Sequence, residues 1–164
     1  MMKRRDVMVF GGCALLLTQP VYAEAKSAMV DAIQVIKSQR RLDLLGGGSV
    51  LKSYDVRLGN QPVGAKRFEG DGRTPEGQYI IDRRIPNSSF YLSLGVNYPS
   101  RSDLAYARRH GKSPGGNICL HGQPNGHKGV KADDWTIGCV ALANDDMEEI
   151  YKYVPIGTQI RIFQ

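Results

Sequence analysis

Cysteine, histidine and tryptophan are scarce in this chain of 164 residues, which carries three Cys, three His and one Trp. With so few groups able to act as nucleophile, base or soft metal ligand, each of them matters. No run of roughly 18 apolar residues occurs, which argues against a membrane-spanning helix. No dense basic run occurs either, so the net charge of +6 lacks the footprint of a nucleic-acid binder. Internal repeats and low-complexity segments are absent, which excludes a repeat array. The cysteines and histidines form no Cys-x-x-Cys and no His-x-x-x-His pair, the close pairs usual in structural zinc sites.

A hydrophobic fraction of 41% is enough for the core of one domain at this length. Residues 1–23 read as an export signal. Lys3, Arg4 and Arg5 form a charged start, Val7 to Leu17 an apolar run of signal-core length, and Val21-Tyr22-Ala23 a cleavage site. Gly11 and Gly12 interrupt that run and Pro20 ends it, which disfavours a buried helix. The Arg4-Arg5 pair leaves a twin-arginine route open beside the general one; either leads to a periplasmic location. Cys13 still has apolar residues after it and does not resemble a lipid-attachment cysteine. Removal of residues 1–23 takes away three basic residues and one acidic and leaves a charge of +4. That mild excess suits an anionic polymer such as cell wall and is equally ordinary for an exported domain. Residues 24–31 read as a polar leader and 32–164 as the domain.

Ile33 and Val35 begin a period-two pattern that Leu42 and Leu44 resume after a basic cluster, Lys37 to Arg41. Gly46-Gly47-Gly48 predicts a hairpin turn, and Val50 to Leu58 the returning strand. Lys66 to Gly77 is charged and turn-rich, with Asp71-Gly72 and Pro75-Glu76-Gly77 as turn chemistry. Strands are expected over Gln78–Arg83, Phe90–Val96 and Asn117–Leu120, the last delivering His121 at its end. Ser102 is the expected cap of a short helix to Arg109, and Asn144 the cap of a helix from Asp145 to Tyr153. Met147, Ile150, Tyr151 and Val154 form the apolar face of that second helix. Thr158 to Phe163 closes as a strand. The balance is mainly β with one or two short helices, a sandwich or barrel-like domain.

The chemistry centres on residues 117–142. Cysteine is a strong nucleophile as thiolate, and a nearby histidine can take its proton and later return it to a leaving group. Cys139 follows Gly138, whose freedom lets the chain turn sharply. The amides of Gly138 and Cys139 are natural donors to a developing oxyanion. His121 precedes Gly122, and no aspartate lies at a triad spacing, so a backbone carbonyl such as that of Gly122 is the expected partner of its ring. Two bland readings stand beside this one. Cys119 and Cys139 form a structural disulfide in an oxidising compartment, though such bridges usually staple domains without a core. Alternatively Cys119, His121, His127 and Cys139 ligate a metal, against which their spacing speaks. A papain-like protease is disfavoured because there the cysteine precedes the histidine.

These residues resemble the catalytic motif of the L,D-transpeptidase (YkuD-like) domain: a histidine, fourteen residues, then Ser/Thr-x-Gly-Cys, here His121 and Thr136-Ile137-Gly138-Cys139. GDGRTPEGQYII resembles the family's central turn and strand, and DDWTIGCVALANDDMEEIYKYVPIGTQIRI its closing segment. The resemblance runs from about Ile33 to the C-terminus. It implies an L,D-transpeptidase-like β-sandwich with Cys139 as nucleophile, His121 as base, Gly122 and Gly138 as their backbone supports, and neither metal nor cofactor. It implies attack on the diaminopimelate carbonyl of a peptidoglycan stem peptide, a thioester, and transfer to an amine of another stem or of a wall-anchored lipoprotein, or to water. Two positions depart from many members: Ala141 where an arginine or asparagine is common, and Ile137 where a histidine often stands. Both are similar to the YafK-like branch, which includes a hydrolase of the diaminopimelate–lipoprotein bond, so the acceptor stays open between amine and water. Arg73 is the candidate replacement for the lost carboxylate contact. Trp135 and Thr136 are the candidate walls of the substrate groove. A non-catalytic wall- or metal-binding module is the alternative from another class.

Overall fold

A computed structural model describes residues 29–164. The expected signal, 1–23, and most of the expected leader lie outside the described residues. β1 (Ala32–Ile36) passes through a 3-10 turn, Lys37–Gln39, into antiparallel β2 (Arg41–Gly46). Ile33, Val35 and Leu42 are fully buried, as their alternation predicts. Gly47 and Gly48 have φ of 58° and 82°, the paired positive values of a two-residue hairpin turn, and lead into β3 (Ser49–Asp55). The sequence alternation continues to Leu58, but the strand does not. Within β3 only Tyr54 is buried and Val50 is 56% exposed, because β3 is the outermost strand and overhangs the core. Burial resumes at Val56 and Leu58, beyond it.

β4 (Gly77–Ser88) is longer than the expected Gln78–Arg83 because it serves two partners in succession. Its first residues pair with β8 (Gln159–Phe163) and the remainder with β5 (Tyr91–Val96), with a register shift between Ile81 and Arg83. β8 also runs parallel to β1, so the last strand slots between β1 and β4. β5 pairs with β6 (Cys119–His121), and β6 runs parallel to β7 (Val140–Ala141). The order is β3-β2-β1-β8-β4-β5-β6-β7. Isolated bridges from Arg57 to Ala141 and from Gly59 to Thr136 bring the chain after β3 back against β7 and the turn before it. Ile33, Leu42 and Ile160 from one half and Leu94, Leu120 and Val140 from the other share a single core. Burying each such side chain contributes about 1.5–3 kcal/mol. The domain is mainly β with two helices, as the pattern predicts.

The helix starts differ from the expected ones. Ser100, not Ser102, caps α1 (Arg101–Arg109): its Oγ accepts from the Asp103 amide at 3.3 Å, and the Asp103 carboxylate accepts from the Ser100 amide at 2.9 Å. That reciprocal box needs a spacing of three, which Ser102 cannot offer. At α2 (Asn144–Tyr153) the cap position falls to Ala143, without a side-chain bond. Asn144 Oδ1 accepts instead from the Gln123 amide at 2.8 Å, beside the site. Met147, Ile150 and Val154 pack inward as their spacing predicts.

The charged stretch 66–76 is tied down from two sides. Lys37 is fully buried, and its Nζ donates to Gly64 O (2.7 Å), Thr74 O (3.2 Å) and Glu76 Oε1 (2.8 Å), which uses all three of its hydrogens. Asp71 accepts from Lys66 Nζ and from the amides of Arg67, Phe68 and Arg73. Burial opposes the Asp71 charge, but these bonds outweigh it and hold the carboxyl below its ordinary range.

Candidate active site

His121 ends β6, and Cys139 immediately precedes β7. The parallel register sets Leu120 against Val140 and His121 against Ala141, which brings Cys139, one residue before β7, beside β6, where its sulfur accepts from the Cys119 amide. His121 and Cys139 line a cleft of about 440 Å³, together with Phe90, Asn117, Trp135 and Thr136.

His121 is 3% exposed, and its Nδ1 lies 2.7 Å from the Gly122 carbonyl, the acceptor anticipated from the sequence. A carbonyl only accepts, so Nδ1 carries the proton and Nε2 keeps its lone pair. Burial lowers the imidazole pKa, with the Gly122 bond opposing, and the ring is neutral at pH 7. Phe90 and Trp135 pack on it, with ring centroids 4.6 and 5.6 Å away. The Gly122 amide donates to Phe90 O and Leu92 O, and a Cβ at Gly122 would stand 2.5 Å from Asn144 Oδ1. Gln123 is buried, donates through Nε2 to Leu142 O at 2.6 Å and accepts from the Lys131 amide at 3.0 Å. Gln123 and Asn144 therefore clamp the His121-Gly122 segment against the start of α2. Nothing in their local sequence marks them for this clamp, since each works through a partner distant in the chain.

Gly138 has φ of 126°, and a Cβ there would lie 2.6 Å from Arg73 O. Thr136 Oγ1 accepts from the Gly138 amide at 3.1 Å and donates to Cys139 O at 2.7 Å. The Gly138 amide is thus engaged inside the turn, whereas the Cys139 amide has no partner among the described residues. Thr136 shapes that turn and also lines the cleft. The Cys139 thiol donates toward Asn117 O at 3.5 Å and accepts from the Cys119 amide at 3.4 Å. No hydrogen bond joins it to His121 in this state. Cys119 and Cys139 are both free thiols. The two thiols lie too close to ionise independently, so a first thiolate opposes the second. The neighbouring Cys139 thiol and the Arg83 guanidinium pull Cys119 down to about 7, while the Cys119 sulfur and burial push Cys139 up.

The remaining candidates separate. Trp135 lines the cleft, and its indole N–H is buried without an acceptor. Arg73 is exposed, its guanidinium lies near Gly64, and its side chain is not part of the cleft wall. The cation of that wall is Lys66, 3% exposed and paired with Asp71, which the sequence shows only as one more charge in a turn. Ile137 is 72% exposed at the cleft, while Ala141 is buried with its backbone paired to Arg57. His127 is exposed, and among the described residues no three His, Cys, Asp or Glu side chains cluster as a metal site would require.

Sequence and fold together define a class. Residues 30–162 match the YkuD family profile, the L,D-transpeptidase catalytic domain, and the chain belongs to that family. Among individual relatives, it is 32% identical to YafK of Escherichia coli (strain K12) over 146 residues, covering 84% of this chain and 53% of that protein. It therefore spans about half the length of the curated relatives it matches. Bd1075 of Bdellovibrio bacteriovorus superposes with a TM-score of 0.58 at 28% identity, over 85% of this chain and 50% of that one. The helical cell shape determining protein Pgp2 of Campylobacter jejuni gives a TM-score of 0.65 at 24% identity, over 81% and 47%, a likeness of fold. Among the described residues no helix is long and apolar enough to cross a membrane.

Proposed function

We propose that the chain is an exported, cysteine-dependent L,D-transpeptidase that acts on peptidoglycan stem peptides in the periplasm, in cell-wall remodelling. The observation that carries this reading is the pairing of His121 with Gly122 O, which keeps Nε2 as a base in the cleft that Cys139 also lines. The neighbouring Cys119 sulfur and burial keep the Cys139 thiol protonated at rest, so the nucleophile is made when substrate arrives and the proton moves to His121. The sulfur attacks the diaminopimelate carbonyl carbon. The electrons displaced onto oxygen face the uncommitted Cys139 amide. Collapse expels the terminal D-alanine, whose nitrogen takes the proton from His121, and leaves a thioester on Cys139. An amine from a second stem then attacks, gives its proton to His121 and expels the sulfur, forming a 3→3 cross-link. Water in place of the amine gives a shortened stem.

The test is incubation of the purified protein with tetrapeptide muropeptides and mass analysis of the products. Released D-alanine with dimers marks transfer, and released D-alanine with tripeptides alone marks hydrolysis. Absence of release, or equal release by Cys139→Ala, removes the proposal.

A further inference from the structure

The catalytic reading gives Cys119 no role, yet the fold builds a specific environment around it. Arg83 on β4, Gly95 on β5 and Cys119 on β6 stand in one cross-strand row, and Cys139, just before β7, reaches the end of that row through its sulfur. Gly95 has no side chain, and a Cβ there would lie 2.4 Å from Arg83 Cγ. The glycine lets the arginine cross β5 and place Nη2 3.9 Å from Cys119 Sγ. A cation beside a thiol favours the thiolate, the form that reacts with oxidants and disulfides. Beyond Cys119, the Cys139 sulfur is already in contact: it accepts from the Cys119 amide at 3.4 Å, and both thiols point to Asn117 O, at 3.8 and 3.5 Å. Two sulfurs converging on one carbonyl oxygen lie within mutual reach, as disulfide formation requires.

From this row we infer that Cys119 is a redox-active thiol that forms a reversible disulfide with Cys139 and so masks the residue read above as the nucleophile. The oxidant is a hydroperoxide. The Cys119 thiolate attacks the distal oxygen, the O–O bond breaks, and with one proton the products are a sulfenic acid on Cys119 and an alcohol or water. The Cys139 thiol then attacks that sulfur, the S–O bond breaks, and water leaves with the thiol proton. A reducing dithiol restores both thiols by two exchange steps and is itself oxidised. The disulfide also keeps either sulfur from going on to the irreversible sulfinic stage.

The inference depends on the proposed function only where activity is read, so its test has two separate readouts. Reduced protein is treated with a small excess of hydrogen peroxide, and intact mass, free thiols and D-alanine release from muropeptides are followed together. The wild type is expected to become two hydrogens lighter, to lose both reactive thiols and its activity at one rate, and to regain all three on adding dithiothreitol. Cys119→Ser is expected to keep its one thiol at the same dose and to lose activity about tenfold more slowly, without recovery once Cys139 is over-oxidised. A wild type that gains oxygen without losing two hydrogens, or a Cys119→Ser variant inactivated and rescued like the wild type, overturns it. A clean disulfide in a protein with no muropeptide activity overturns only the proposed function.

Discussion

His121 shows how one hydrogen bond assigns a role to a side chain. With Nδ1 committed to Gly122 O, the ring has one basic atom, and burial keeps that atom unprotonated at neutral pH. His121→Gln keeps a neutral polar group but cannot shuttle the proton, and D-alanine release is expected to fall by about 10²–10⁴. Because burial depresses the imidazole pKa from 6.5, the acid limb of kcat/KM is expected below pH 6.5, and a limb centred above it contradicts the assignment. Gly138 is held to glycine twice, by its φ of 126° and by the approach of Arg73 O to 2.6 Å from a notional Cβ. Gly138→Ala is expected to lower stability by about 1–3 kcal/mol in urea unfolding and to displace the sulfur. Residue identity alone marked His121 and Cys139 as candidates, since few side chains can be a thiol nucleophile or a neutral-pH base, and glycine beside each signals a turn. The engagement of the Gly138 amide by Thr136 was not legible, because a donor's direction is set by the turn that forms.

At the scale of elements, the site depends on the short parallel pair β6 and β7 and on the turns that feed it. Thr136 Oγ1 links the Gly138 amide to Cys139 O and so sets the conformation of the turn before β7. Thr136→Val keeps the shape and removes both bonds. It is expected to cost about 1–3 kcal/mol and to lower kcat more than it raises KM, read from muropeptide kinetics. Lys37 acts at a distance by pinning Gly64, Thr74 and Glu76. Lys37→Met leaves the Gly64 carbonyl without a partner and Thr74 O with the Lys66 amide alone. It is expected to cost about 3 kcal/mol in chemical unfolding, the low end for a broken buried pair because Glu76 keeps some contact with water. In sequence Lys37 stands in a basic cluster that only interrupts an apolar alternation. Its burial follows from the position of the 66–76 loop, which no local pattern encodes. Asn144 shows the same limit: its type and place suit a helix cap, but the Gln123 amide is nearer once β6 and α2 have docked.

For the molecule as a whole, acid is the condition to which the site and its supporting loop respond together. The unfolded imidazole of His121 takes a proton near pH 6.5 and the folded one only lower, so the unfolded state binds more protons there and stability falls as pH drops below 6.5. Asp71 gives a second loss below its unfolded value of 3.8, because its folded carboxyl stays ionised to lower pH. Urea midpoints of the wild type are therefore expected to fall between pH 7 and 5 more than those of His121→Gln; equal falls refute the assignment. Short-range information in the chain was sufficient for the mainly β character, the glycine hairpin and the apolar face of α2, and for singling out His121 and Cys139 as candidates. Each of these follows from backbone sterics, side-chain period or intrinsic reactivity, which need no knowledge of distant neighbours. The insertion of β8 between β1 and β4, the division of β4 between two partners, the burial of Lys37 and the row from Arg83 to Cys119 arose only on assembly. They depend on which distant segments share the core and in which register, and that choice belongs to the packing energy of the entire chain rather than to any window of it.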